Sequence, residues 1–236
     1  MTNTIVQPNE ISQRPVKYNS NDVSLECIAN ELALLNLGDC EPLDFKIDTS
    51  QFMSEISKFE TEWVDYLPRP HIHNNRKALS LTNLPGKTHK DNPSQAQAIA
   101  ELGRPVTELE FNQPTKVYDA CHSLSPVLEE FTPLGRTFLI NSGVGGYFLP
   151  HRDHPSMPRN SFRLVAFLNN CGPMQYDWIM ETDRKLIIEP GRVYYVNTRK
   201  THRTISWTSD SIHLIMNVPM TSDNVAKVLK HLQHRH

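Results

Sequence analysis

The second half of the chain consists of short runs of β-branched and aromatic residues that follow one another closely. Glycine, proline, asparagine and aspartate separate the runs, and these residues favour turns. The spacing is typical of a β-sandwich or barrel and does not fit βαβ units, which need a helix between strands. The predicted strands are 136–140, 146–149, 162–168, 174–180, 185–188, 193–196, 204–207 and 211–218.

The first half has a different pattern, with apolar residues at helical spacing and few β-rich runs. Residues 1–20 are rich in Asn, Gln, Pro and Ser, and we predict that they form a flexible arm. We predict one domain over 21–236, with a helical and mixed annex at 21–134, a β core at about 136–218 and a terminal helix at 222–233. Within the annex the predicted elements are helices at 22–37, 50–63, 96–102 and 123–131 and a strand at 78–84.

Composition excludes several classes of protein. The 236 residues carry 24 basic and 26 acidic side chains, a formal charge of −2, which gives no electrostatic case for nucleic acid or an anionic membrane. No apolar run approaches the ~20 residues that span a bilayer, and the first residues lack the basic and apolar regions of a signal peptide. The four cysteines form no CxxC pair. We therefore predict reduced thiols and a cytoplasmic protein.

The strongest candidate site combines His151 and Asp153 with His202, which lies 49 residues after the aspartate. Positions i and i+2 at a strand end point to one side, so His151 and Asp153 can share a target. Two imidazoles and one carboxylate form the facial triad of non-heme Fe(II) oxygenases, which leaves coordination positions open. Both histidines adjoin predicted strands, which favours this interpretation over three unrelated surface residues.

Four segments in this region, in this order, resemble a known family. They are GGYFLPHRDHP at 145–155, SFRLVAFLNN at 161–170, PGRVYYVN at 190–197 and THRT at 201–204. Together they resemble the aspartyl/asparaginyl β-hydroxylase family, which also includes free-proline hydroxylases. The resemblance covers about residues 136–218. It implies a mainly β fold with flanking helices, a double-stranded β-helix (jelly roll, cupin-like), and an Fe(II)- and 2-oxoglutarate-dependent dioxygenase. His151, Asp153 and His202 would then be the catalytic iron ligands.

The resemblance also implies where 2-oxoglutarate binds. Arg163 matches a family arginine that contacts the cosubstrate, although a cross-strand pair on a solvated face would also explain it. A second family arginine, about ten residues after the distal histidine, is replaced here by His213. Arg163 or Arg203 could take the main role with His213 assisting, binding could be weak, or the 2-oxoglutarate chemistry could be lost. His213 could also be an ordinary core histidine.

The resemblance finally implies the partners: molecular oxygen, and an amino acid, free or within a peptide, as the substrate whose C–H bond is hydroxylated. Two alternatives stay open. One is a jelly-roll metalloprotein that uses the same triad without 2-oxoglutarate, and the other is a non-catalytic binding module of the same fold.

Overall fold

The computed structural model describes residues 24–66, 75–92, 94–153, 160–171 and 188–232, and the backbone of 176–178. The predicted arm at 1–20 therefore lies outside the described residues, as do most of the predicted strands 174–180 and 185–188. No helix in the described ranges is both long enough and apolar enough to cross a membrane.

The helices lie mainly in the first half and at the end of the chain. Short polar side chains begin most of them: Ser24, Asp48 and Thr221 each accept a hydrogen bond from a backbone N–H of the first turn, and Ser94 begins a capping box with Gln97. The α-helices are α1 (Leu25–Leu35), α2 (Thr49–Ile56), α3 (Gln95–Leu102), α4 (Lys116–Ala120), α5 (Ser125–Glu130) and α6 (Ser222–Lys230).

The strands form two main antiparallel sheets and a short ribbon. They are β1 (Cys40–Lys46), β2 (Val64–Asp65), β3 (Arg76–Ser80), β4 (Thr82–Asn83), β5 (Gln113–Pro114), β6 (Thr137–Ser142), β7 (Tyr147–His151), β8 (Ser161–Asn169), β9 (Tyr176–Trp178), β10 (Arg192–Val196), β11 (His202–Ile205) and β12 (Ser211–Pro219). The large sheet has the order β1-β10-β8-β12-β6-β3-β2, the small sheet the order β7-β11-β9, and β4 pairs with β5.

The two faces of the large sheet pack against different partners. Alternate residues of β8 and β12, among them Leu164 and Leu214, join Phe52 and Val228 from the helices in the largest apolar core. The opposite face, which we call the inner face, carries Arg163, Val165 and Phe167 on β8 and His213, Ile215 and Asn217 on β12. Phe148 of β7 packs against this face. The small sheet therefore covers the inner face, and the interior between the sheets is where side chains of both converge.

This architecture confirms the predicted mainly β fold with flanking helices and a jelly-roll core. The helices at 22–37, 96–102, 123–131 and 222–233 correspond to α1, α3, α5 and α6; α1, α5 and α6 are shorter than predicted, and α3 begins one residue earlier. The segment predicted as one helix at 50–63 is α2 followed by a 3-10 helix, Ser57–Glu62, in which Phe59 leaves helical geometry. The predicted strand at 78–84 is β3 and β4. Strand β1, on the edge of the large sheet, was not predicted.

Candidate metal centre

The structure brings His151, Asp153 and His202 together, as predicted. One ligand atom from each lies within 4.8 Å of the others, and the His151 and His202 ring centroids are 4.3 Å apart. His151 ends β7 and His202 begins β11, and the two are directly opposite in the antiparallel ladder. This arrangement of two imidazoles and a carboxylate has the donor set of a facial triad.

Both imidazoles are oriented by backbone carbonyls. His151 Nδ1 lies 2.8 Å from the Leu149 carbonyl oxygen, and His202 Nδ1 lies 2.9 Å from that of Lys200. A carbonyl accepts, so each Nδ1 carries the proton and each Nε2 keeps a lone pair. This second contact is the usual way in which a metal-binding histidine is fixed. The residues therefore fit a metal ion bound through the two Nε2 atoms and the Asp153 carboxylate.

Hydrogen bonds tie together the two segments that carry the ligands. The Asp153 backbone N–H donates to the Thr198 carbonyl at 2.9 Å, and Arg152 Nε donates to Thr201 Oγ1 at 3.0 Å. The segment after β7 is thus fastened to the segment that leads into His202. These bonds hold Asp153 beside the histidines without a regular strand pairing at that point.

A β-bulge in β7 decides which side chains face the interior. His151 is opposite His202, but Phe148 is opposite Thr204, so Leu149 and Pro150 together face Arg203 alone. The extra residue reverses the alternation, so Phe148 and His151 both face the interior, with ring centroids 4.2 Å apart. Pro150 has no N–H to lose from the ladder, and a bulge is a position where proline is tolerated.

Arg163 contacts the predicted carboxylate ligand. Its Nη1 lies 2.5 Å from Asp153 Oδ2, and its Nε donates to Asn217 Oδ1 at 3.3 Å. Burial alone would raise the pKa of Asp153, but the Arg163 guanidinium holds that pKa well below its usual range. Asp153 is therefore ionised near neutral pH, as a ligand must be.

His202 is 3% exposed, and its state follows from that burial. Burial lowers the pKa of His202 to about 4, although the Asp153 carboxylate acts in the opposite direction. The imidazole is therefore neutral near pH 7 and available to a metal. His151 is more open, with 27% of its side chain exposed, so the triad is reached from the β7 side.

His213 lies apart from the triad, deeper between the sheets. It pairs with Phe167 two inner-face rows from the Arg163–Asn217 pair, about 13 Å along the strand at ~3.3 Å per residue. Burial lowers the pKa of His213 to about 3, and the Arg76 guanidinium acts in the same direction. At neutral pH His213 is an uncharged imidazole, so any clamp it provides is a hydrogen bond without a charge.

Arg76 was not predicted as a site residue, yet the structure places it in the same interior. It is 5% exposed, and its guanidinium carbon lies 4.9 Å from the Tyr66 ring centroid and 4.3 Å from that of Phe148. The sequence does contain one signal for this placement. Arg76 stands two residues before Ala78, which begins a predicted strand, and residues i and i+2 of a strand share a face.

Comparison with known proteins finds likeness at the level of structure. No family model and no curated protein matches the chain. A Pseudomonas putida prolyl-4-hydroxylase has 12% sequence identity and a TM-score of 0.42, and the superposition covers 83% of this chain and 98% of the hydroxylase chain. A Trichoplax adhaerens prolyl hydroxylase, in complex with a hypoxia inducible factor peptide fragment, has 12% identity, a TM-score of 0.46 and coverages of 92% and 99%.

A 2OG-Fe(II) oxygenase family protein from Burkholderia pseudomallei has 13% identity, a TM-score of 0.40 and coverages of 86% and 93%. At such identities the likeness concerns the fold alone. The resemblance to the aspartyl/asparaginyl branch stays a prediction, and the case for a function depends on the site geometry.

Proposed function

We propose that this protein is an Fe(II)- and 2-oxoglutarate-dependent dioxygenase that hydroxylates a C–H bond of an amino acid, either free or within a peptide. The observation that carries the proposal is the triad: three ligand atoms within 4.8 Å, with both imidazoles fixed through Nδ1. A facial triad leaves one face of the metal open, which catalysis needs and a closed structural site does not offer.

Each triad residue has a defined task in this proposal. His151 and His202 offer neutral Nε2 atoms, and Asp153 offers a carboxylate kept ionised by Arg163. When bound, Fe(II) and 2-oxoglutarate supply the power to insert one oxygen atom of O2 into a C–H bond, with succinate and carbon dioxide as coproducts. The chain itself fixes the ligands, shields the site between two sheets and orients the substrate.

The carboxylates of 2-oxoglutarate need hydrogen-bond donors, and charged donors bind them most strongly. In this proposal Arg163, which is ion-paired with Asp153, contacts the end of the cosubstrate nearer the metal, and His213 assists from the neighbouring strand β12. Alternation along β11 directs Arg203 away from the interior, because His202 and Thr204 on either side of it face inward. Arg163 and His213 therefore remain the proposed cosubstrate residues from the sequence.

The test is anaerobic addition of Fe(II) and then 2-oxoglutarate to the full chain, followed by visible absorption. We expect a metal-to-ligand charge-transfer band that appears only when both are present. In His151→Ala and His202→Ala the band should be lost, because each variant removes an imidazole from the metal. The matched control is His122→Ala, which removes an exposed histidine outside the triad and should keep the band.

The same titration separates the alternatives. Metal binding without any effect of 2-oxoglutarate would contradict the proposal and favour a metalloprotein that does not use the cosubstrate. No binding of either would favour a non-catalytic module. A band that survives in His151→Ala would show that the ligand assignment is wrong. Succinate release with a panel of free amino acids and short peptides would then identify the substrate class.

A further inference from the structure

Arg163 contacts Asp153, and a second side chain determines where Arg163 points. Its Nη1 lies 2.5 Å from Asp153 Oδ2, and its Nε donates to Asn217 Oδ1 at 3.3 Å. Arg163 and Asn217 are directly opposite in the antiparallel ladder between β8 and β12, so the sheet itself brings them together. The guanidinium donors form a rigid planar fork, so a contact that fixes Nε also fixes the direction of Nη1.

The orientation of the Asn217 amide is itself determined by its surroundings. Asn217 is 2% exposed, and its Nδ2 donates to the Arg136 carbonyl oxygen at 2.6 Å and to Glu108 Oε2 at 3.4 Å. Both partners accept hydrogen bonds, so the amide nitrogen must face them, because a reversed amide would place its oxygen against two other oxygens. The amide oxygen is therefore directed at Arg163.

The two oxygens of Asp153 have different surroundings. Oδ1 lies 3.3 Å from His151 Nε2, the nitrogen that keeps its lone pair for a metal, whereas Oδ2 lies beside the Arg163 guanidinium. An aspartate can bind a metal ion with one oxygen or with both. The ion pair at Oδ2 favours binding with one, because binding with both would take Oδ2 from its positive partner. A second bound oxygen would fill a position that the triad leaves open.

We propose that Asn217 is a positioning residue: through Arg163 it keeps Asp153 Oδ2 away from the metal, so that Asp153 binds through Oδ1 alone. This inference rests on the proposed function, because it assumes a metal ion at the triad, and it adds a residue to that function. Asn217 acts on the ligand only through Arg163. Its effect is therefore on the number of coordination positions left open for cosubstrate and oxygen, and not on whether a metal binds.

The experiment counts the water molecules bound to the metal, with Mn(II) as the probe. Mn(II) accepts carboxylate and water ligands and stands next to Fe(II) in the affinity order of such sites. In water enriched in the magnetic isotope of oxygen, each bound water broadens the electron paramagnetic resonance lines of Mn(II), and no 2-oxoglutarate is added. Asn217→Leu removes the amide at similar volume. We expect it to have one water ligand fewer than the wild-type protein, because Asp153 then binds with both oxygens.

Two further variants test the route through Arg163. Arg163→Gln should also lose one water ligand, and its combination with Asn217→Leu should lose no more, because residues that act through one contact are not additive. The matched control is Asn224→Leu, because Asn224 is also a buried asparagine, 4% exposed, whose amide donates to a backbone carbonyl, that of Pro219. This control should lower stability and keep the wild-type water count.

The outcomes separate this inference from the proposed function. If the wild-type protein gives the charge-transfer band with Fe(II) and 2-oxoglutarate but Asn217→Leu keeps the wild-type water count, the role of Asn217 is overturned and the function stands. A further water lost in the double variant would also overturn it. If the wild-type protein binds no metal, the inference and the proposed function both fail.

A second variant decides if Asn217→Leu does not fold. In Asn217→Ser the hydroxyl still donates to the Arg136 carbonyl, but it is too short to reach the Arg163 guanidinium. This variant should therefore lose the same water ligand, and an unchanged count would overturn the role of Asn217.

Discussion

The large sheet and the small sheet differ in what covers them and in what they carry. The large sheet packs one face against the helices, and Leu164 and Leu214 on that face are fully buried. The small sheet carries His151 and His202, and Leu149 on its strand β7 is 57% exposed. The large sheet therefore accounts for most of the apolar burial, while the small sheet holds two proposed ligands, and His202 is the one buried residue of its strands β7 and β11. Stability and metal binding should be separable by mutation.

The largest effect should come from the small sheet, in His202→Ala. Removing this ligand should lower turnover by ~10³-fold or more, because residues that act as a unit fail together. The melting temperature should change by only a few degrees, since the variant removes a side chain whose burial disfavours its charged form. Succinate release measures turnover, Fe(II) titration measures metal affinity and calorimetry measures the melting temperature. A large fall in melting temperature with Fe(II) binding retained would contradict the separation.

Leu214→Ala, in the large sheet, should give the opposite result. Truncating a fully buried leucine leaves a cavity, and we expect a loss of about 2–5 kcal/mol in the free energy of unfolding. Urea denaturation measures that loss, and the Fe(II) affinity of the folded protein should not change. The matched control is Leu229→Ala, because Leu229 is 44% exposed on α6 and should shift stability by less than ~0.5 kcal/mol.

His213 lies on the inner face of the large sheet, and it should make the free energy of unfolding depend on pH, whereas the apolar residues on the helix-covered face should not. Its folded pKa of about 3 lies below the ordinary value of 6.5, so the unfolded chain binds the proton first as pH falls. Stability conferred by the neutral form is complete above pH 6.5 and is lost toward pH 3. Between pH 6.5 and 4.5 this amounts to about 2–3 kcal/mol. Urea midpoints across this range should be flatter in His213→Asn, and identical slopes would refute the depressed pKa.

The smallest effect should come from the bond that ties the two ligand segments. Thr201→Val removes the oxygen that accepts from Arg152 Nε and keeps the side-chain shape. We expect Fe(II) affinity to fall by about 2- to 10-fold, the value of one neutral acceptor, with no change in the unfolding midpoint. Competition with a metal chelator measures the affinity. An unchanged affinity would mean that the Asp153–Thr198 backbone bond alone holds the segments together.

Much of the fold could be predicted because its signals are local. Turn residues between β-rich runs located β6 to β8 and β10 to β12, and apolar residues at helical spacing located α1, α2 and α6. Strand β1 was missed because its pairing with β10 brings together residues about 150 positions apart, and the segment CEPLDFK has no clear alternation. The break at Phe59 also depends on packing against the core and not on its neighbours in sequence.

Some residues of the candidate site could be predicted from local sequence signals, and others could not because their positions depend on contacts between distant segments. His151, Asp153 and His202 were predictable from spacing and resemblance, because the i, i+2 rule and the strand ends are visible in the sequence. The pairing of Arg163 with Asp153 was not, because it depends on which end of β8 meets the segment after β7. Arg76 was missed because the resemblance begins after residue 136, and only the pairing of β3 with β6 brings it inside.

The bulge at Leu149 and Pro150 has a consequence for how distant sequences are compared. Deleting either residue would leave every proposed ligand in the chain, yet it would turn His151 to the outside of β7 relative to Phe148. Metal binding would be lost because the number of residues between Phe148 and His151 changes, although all three ligand residues are still present. An alignment should therefore treat the distance from Phe148 to His151 as part of the motif, and a chain that keeps the histidines but not this odd spacing should be classed apart.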